Sequence, residues 1–280
     1  MNEITPSRIS LRKLSVQTEE GKNILSHASF EIHGGAVLGV YGPNGSGKST
    51  LLKTISQGEG SGLKKTAGEF WFSNLSPVGN GTQLEEINLS DIRDPKKRVN
   101  FIVYIGSDFF SPFDLTIREL FEMAATSNST DLWPSLTSDQ RTRIAEVIEE
   151  LKLTEFLPRL LNTLSDGERQ LVMFARGLIQ NPKILVLDET FSKLDLDKLM
   201  LVGEVLKKWT SLGMTFLVAS HDLNFLSEVS DLLMFLKQGQ ILGVAPVSEM
   251  LTPLMLGELY PDRPIQVVRS PESGKNKILY

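Results

Sequence analysis

The 280-residue sequence predicts a parallel α/β core with a helical lobe inserted into it, and three observations lead there. First, an apolar run of strand length, Ala36-Val37-Leu38-Gly39-Val40, enters the glycine-rich stretch Gly42-Pro43-Asn44-Gly45-Ser46-Gly47-Lys48-Ser49-Thr50. Leu51-Leu52-Lys53-Thr54-Ile55 then continues as the start of an amphipathic helix. Second, strands recur at 183–187 and 214–220 with a helical stretch near 195–212 between them, the alternation of a parallel sheet. Third, residues 108–180 change to helical periodicity. The expected organisation is therefore a single unit. Its core is built from 1–107 and 181–260, the helical lobe is 108–180, and 261–280 form a C-terminal tail to which no chemistry is assigned.

The glycine stretch carries the first functional expectation. Strand, loop and helix in this order give the context in which G-x-x-x-x-G-K-[ST] marks a phosphate site. Gly42, Gly45 and Gly47 let backbone N–H groups turn inward, and the N-terminus of the following helix adds partial positive charge. Lys48 is expected to reach the β- and γ-phosphates, and the Ser49 hydroxyl to ligate Mg²⁺.

Bulk properties narrow the classes. A composition 41% hydrophobic and 22% charged is ordinary for a globular chain. The net charge of −5 and the lack of a dense Lys/Arg stripe give no basic field for nucleic acid. Lys96-Lys97-Arg98 is the only compact basic run and is read as a solvated loop. Without cysteine there are no disulfides, no Cys-ligated zinc and no thiol catalysis. Residues 1–15 hold no apolar secretory core, and no stretch approaches 18 uninterrupted apolar residues. The expectation is a chain soluble by itself, reaching a membrane only through a partner.

Along the chain, 9–16 alternate as a strand, 18–23 are a polar turn, and 24–32 resume a strand that ends at Gly34-Gly35. Residues 57–62 read as a flexible connection and 69–72 as a strand. Residues 74–81 read as a long turn, 87–98 as a charged surface segment and 99–105 as a core strand. Helices are expected over 116–125, with Thr116 as cap, and over 138–152, with Ile144, Val147, Ile148 and Leu151 on the apolar face. A further helix over 167–180 stops at Asn181-Pro182.

A second constellation follows. Ile184-Leu185-Val186-Leu187 is continuously apolar, as a strand buried on both faces must be, and it ends in Asp188-Glu189. Acids at the C-terminal end of such a strand lie in the crevice where open α/β sheets bind ligands. There Asp188 can hold Mg²⁺, and Glu189 can orient or deprotonate an attacking water. In Leu164-Ser165-Asp166-Gly167-Glu168, Ser165 is a helix N-cap. The same residues also suit a second anion site, with a hydroxyl, a glycine for close approach and a helix N-terminus. His221 follows strand 214–220. Alone it reads as a surface or satisfied histidine; in this topology it can also contact the γ-phosphate. His27 and His33 have no such setting.

With these elements in order, residues 8–260 resemble the nucleotide-binding subunits of ATP-binding cassette (ABC) proteins. The resemblance implies a P-loop NTPase core with an antiparallel β subdomain and an inserted helical subdomain. It implies Walker A at 42–50, a signature motif at 164–168, and Walker B with Glu189 catalytic. It also implies a D-loop at Ser192-Lys193-Leu194-Asp195 and a switch histidine at His221. The signature variant, His221-Asp222-Leu223-Asn224 and Met250-Leu251-Thr252-Pro253 look like importers of iron chelates, haem or cobalamin. Three positions depart from the family pattern. Ser107 stands where a metal-contacting glutamine is usual and could ligate Mg²⁺ only weakly or through water. No aromatic stands near 16–18 to stack on adenine, which implies weaker or less base-selective binding. Thr190 replaces the usual proline.

The implied mechanism is a sandwich of two such domains around ATP and Mg²⁺. One copy supplies Lys48, Ser49, Asp188, Glu189 and His221; the other supplies Ser165 and Gly167. The implied partners are a second copy or pseudo-copy, an integral membrane permease and, in some systems, an external substrate-binding protein. The implied location is the cytoplasmic face of the inner membrane. Two other readings stand beside it: a soluble ABC ATPase outside transport, of the iron–sulfur assembly type, and a weakly hydrolysing regulatory module.

Overall fold

The computed structural model describes residues 7–58, 63–78, 81–106, 114–131, 134–261, 265–269, 274 and 276–279. The chain opens with β1 (Ser7–Thr18) and β2 (Asn23–His33), joined by the polar turn. Ile9, Leu11, Leu14 and Val16 of β1 are all buried. The two pairs fall out of phase in sequence, and a register shift between Leu11 and Leu14, with Lys13 at φ 50°, restores them to one face. β3 (Val37–Tyr41) then leads into α1 (Lys48–Gln57).

β4 (Leu63–Val78) and β5 (Gly81–Asn88) complete an antiparallel sheet of order β2-β1-β4-β5. This corrects the long turn expected at 74–81. Asn74 pairs with Ser7 on one side and Glu85 on the other, and ladder bonds override the local turn preference of its sequence. The charged segment after it is also less exposed than expected. Leu89 is fully buried, and Arg98, at the end of α2 (Pro95–Arg98), turns inward. Its guanidinium donates to the carbonyls of Ile55, Ser56, Leu89 and Ile92, so it ties the C-terminal end of α1 to the turn that follows β5. Only Lys96 and Lys97 of the basic run are solvated.

After β6 (Ile102–Gly106) come three helices, α3 (Ile117–Ala125), α4 (Ser138–Glu150) and α5 (Asp166–Gln180). Each starts in a reciprocal capping box: Thr116 with Glu119, Thr137 with Gln140, and Ser165 with Glu168. α5 stops at Asn181, which takes the left-handed conformation ahead of Pro182. The chain then runs through β7 (Ile184–Asp188), α6 (Leu196–Ser211), β8 (Thr215–Ala219), α7 (Leu223–Val229), β9 (Leu232–Lys237) and β10 (Gln240–Pro246). Short helices α8 (Val247–Met250) and α9 (Pro253–Leu259) precede a hairpin of β11 (Gln266–Arg269) and β12 (Asn276–Leu279).

The second sheet has the order β10-β9-β3-β8-β7-β6 and is parallel except at β10. Its strands are apolar throughout because both faces are covered. Leu38, Val40, Ile184, Val186, Leu217 and Ala219 join a core shared with the antiparallel sheet and α1. Their neighbours Val37, Tyr41, Leu185, Leu187, Phe216 and Val218 join the core under α3, α5 and α6. β3, β8 and β7 are adjacent and parallel, so the loops leaving their C-terminal ends share one edge. Those loops begin with Gly42, Ser220 and Glu189.

Candidate functional site

The loop after β3 is shaped by contacts only glycine permits. A Cβ on Gly42 would collide with the carbonyl oxygen of Leu236. Gly47, at φ 104°, occupies the N-cap of α1. That helix begins without a side-chain cap, unlike α3, α4 and α5. The first N–H groups of a helix have no intrahelical partner, so this end presents donors and partial positive charge to an anion. A triphosphate fits such a cradle. Lys48 is buried, and its ammonium donates to the carbonyls of Gly42 (2.7 Å) and Pro43 (3.2 Å). Burial lowers its pKa, while Glu189 and Asp188 pull it back up.

Register brings the acids alongside. Asp188 pairs with Ala219 of β8 and with Gly106 of β6. Its carboxylate, only 4% exposed, accepts from Ser49 Oγ at 3.1 Å and from the Tyr104 hydroxyl at 2.8 Å. A hydroxyl and a carboxylate at this spacing are hard oxygen donors of the kind Mg²⁺ takes. Glu189 sits at φ 54° with its N–H donating to the Ala219 carbonyl at 3.0 Å. Its Oε1 lies 2.7 Å from His221 Nε2. Thr190, where the family pattern has proline, is buried and donates its hydroxyl to the Ile105 carbonyl at 3.0 Å.

Asn44, Gly45, Ser46, Gly47, Lys48, Ser49, Thr50, Glu189 and His221 line one cleft of about 750 Å³. Thr18, Lys22, Asn23, Ile24 and Gln238 close its remaining wall, so no Phe, Tyr or Trp among the described residues lines it. Ser165 and Gly167 lie outside that cleft, at the start of α5. Ser165 is exposed, and a Cβ on Gly167 would come 2.7 Å from the Lys193 carbonyl. Gln170 locks the same junction, accepting from the Lys193 N–H at 2.9 Å and donating to Ser192 Oγ at 3.2 Å. Glu168 closes the cap, and its carboxyl is held down to about 2 by the Arg159 guanidinium and then by the Ser165 N–H. Ser107 lies outside the described residues.

Tyr104 was not anticipated as a site residue. The signal for it is a matched register: β6 and β7 run parallel, so a hydroxyl near the end of one reaches the acid ending the other.

A strand–glycine loop–helix unit at the centre of a parallel sheet, with an acid-tipped strand two places away, defines the P-loop NTPase fold. The ABC transporter family model matches residues 25–192, and the chain belongs to that family, whose ATP-binding proteins are ATPases. It is 32% identical over 275 residues to the hemin import ATP-binding protein HmuV of Hydrogenovibrio crunogenus, covering 94% of this chain and 96% of that one. It is 28% identical over 268 residues to the petrobactin import ATP-binding protein YclP of Bacillus subtilis, covering 95% and 98%. Among solved structures it is similar to a dimeric bacterial ABC transporter cassette, with a TM-score of 0.68, 26% identity and coverage of 85% and 98%. No helix among the described residues is long and apolar enough to cross a membrane.

Proposed function

We propose that the chain is the ATP-hydrolysing subunit of an importer, peripheral to the cytoplasmic face of the membrane, and that it energises uptake through a separate permease. Of the expected cargo classes, iron complex, haem or cobalamin, the hemin and petrobactin import relatives support the first two. The observation that carries the reading is the meeting of the phosphate loop with two acids: Ser49 donates to Asp188, and Glu189, paired with His221, lines the same cleft as the loop.

Each residue then has a physical task. The backbone of 42–50 and the Lys48 ammonium bind the β- and γ-phosphates. Ser49 and Asp188 would hold Mg²⁺, which when bound would supply positive charge to offset the charge that develops on the phosphates. Tyr104 fixes the Asp188 carboxylate from its other oxygen. Glu189 takes the proton of the attacking water, and His221 holds Glu189 in place and faces the terminal phosphate. Ser165, exposed, and Gly167, half-buried beside it, lie outside the cleft and serve the nucleotide of a second copy; a similar cassette is dimeric. Ser107 would contribute at most an indirect metal contact. ATP then favours the closed pair and hydrolysis releases it. The helical lobe (108–180) and the adjoining core are assigned to the permease. A second cleft of about 810 Å³, lined from the core by Ile55, Ile92, Val99 and Tyr104 and from the helical lobe by Arg176, offers apolar and charged side chains together.

Glu189→Gln tests this reading. The variant is expected to form ATP-dependent dimers on gel filtration while losing steady-state phosphate release. Phosphate release at the unchanged rate would refute the assignment of the base.

A further inference from the structure

α7 starts directly behind His221: Asp222 caps it, accepting from the Phe225 N–H at 3.0 Å. Its inner side is fixed by Leu223, Phe225 and Leu226, all buried. Its outer side is held by the end of the chain. Asn224 Oδ1 accepts from the Ile278 N–H at 2.8 Å, and Asn224 Nδ2 donates to the Ile278 carbonyl at 3.1 Å. One carboxamide thus pairs both backbone atoms of a β12 residue, as a neighbouring strand would. Lys277 pairs with Glu228 in the last turn of α7 at 3.1 Å, and Asn276 Nδ2 donates to the Leu251 carbonyl at 3.1 Å. Ile278 is 3% exposed, and Ile265 and Val267 pack against the same core.

We propose that the β11–β12 hairpin is a positioning brace for His221, acting through Asn224. α7 has seven residues, too few to be stable alone, so its orientation is whatever its neighbours impose. The buried apolar residues set its depth in the core. The two-point Asn224–Ile278 pairing sets its rotation about its own axis, and with it the direction of the His221 ring toward Glu189. Asn224 touches no reacting atom; it is a positioning residue. The inference rests on the ATPase reading of the Glu189–His221 pair.

The chain has three histidines, so ring ¹H–¹⁵N signals of His27, His33 and His221 can be resolved and assigned. In Asn224→Ala, and in a chain ending at residue 264, the His221 signals are expected to move toward their position in Glu189→Ala, with His27 and His33 unmoved. Asn224→Asp, which keeps the shape but loses the donor, should move them the same way and serves if the shortened chain does not fold. Hydrolysis should fall about fivefold in kcat, with KM for ATP changed less than about twofold. His221 signals at their original place in both Asn224 variants would overturn the brace alone. Signals unmoved in Glu189→Ala itself would overturn the site reading and the brace with it.

Discussion

Tyr104→Phe isolates the least expected contact of the site. The Tyr104 hydroxyl donates to Asp188 Oδ2 at 2.8 Å, and the acceptor is a carboxylate only 4% exposed. Phenylalanine keeps the ring, so no cavity opens, and the change takes one donor away from a buried charge. Hydrogen bonds to charged groups contribute about 1.5–3 kcal/mol. Taking about 2 kcal/mol, a domain of this size should melt about 4–8 °C lower. Combining Tyr104→Phe with Asp188→Asn in a double-mutant cycle, read by urea unfolding, should give a coupling of about 1–2 kcal/mol. Additive effects, within about 0.3–0.5 kcal/mol, would refute the claim that this hydroxyl holds the acid.

Two further outcomes follow from other parts of the site. Glu168 has its folded pKa depressed to about 2 from an ordinary 4.5, by Arg159 first and the Ser165 N–H next. A depressed folded pKa gives stability that is present above pH 4.5 and lost as pH falls from 4.5 toward 2. Arg159→Ala should raise the Glu168 midpoint in a carboxyl ¹³C titration and flatten the loss of melting temperature across that window. The wall of the cleft proposed to receive the base, Thr18, Lys22, Asn23, Ile24 and Gln238, supplies no aromatic face. Base–aromatic stacking is worth about 1–3 kcal/mol, so without it ATP and GTP should bind within about threefold of each other in competition. A preference for ATP of more than about tenfold would contradict this.

What the sequence made legible is what local pattern encodes. The glycine loop, the apolar strands of the parallel sheet and the Asp188-Glu189 tip all appear as continuous stretches, and each lies where its pattern predicts. The Thr116 and Ser165 caps were legible for the same reason, since a cap and its partner stand three residues apart. Contacts across long separations left no such trace. Tyr104 meets Asp188 across 84 positions, and Asn224 meets Ile278 across 54, so neither follows from periodicity. Asn74 looked like a turn residue because its two strand partners, Ser7 and Glu85, are remote. Arg98 looked solvated because a run of three basic residues does not reveal that one of them faces four carbonyls.

The central claim is that this glycine cradle and its buried lysine hold the phosphates of ATP. Calorimetric titration of Mg-ATP into the intact chain and into Lys48→Ala tests it most directly. Removing a charge-assisted donor worth about 3 kcal/mol should weaken binding about a hundredfold, with the fold intact by circular dichroism. Equal affinity for Mg-ATP in the two chains would contradict it.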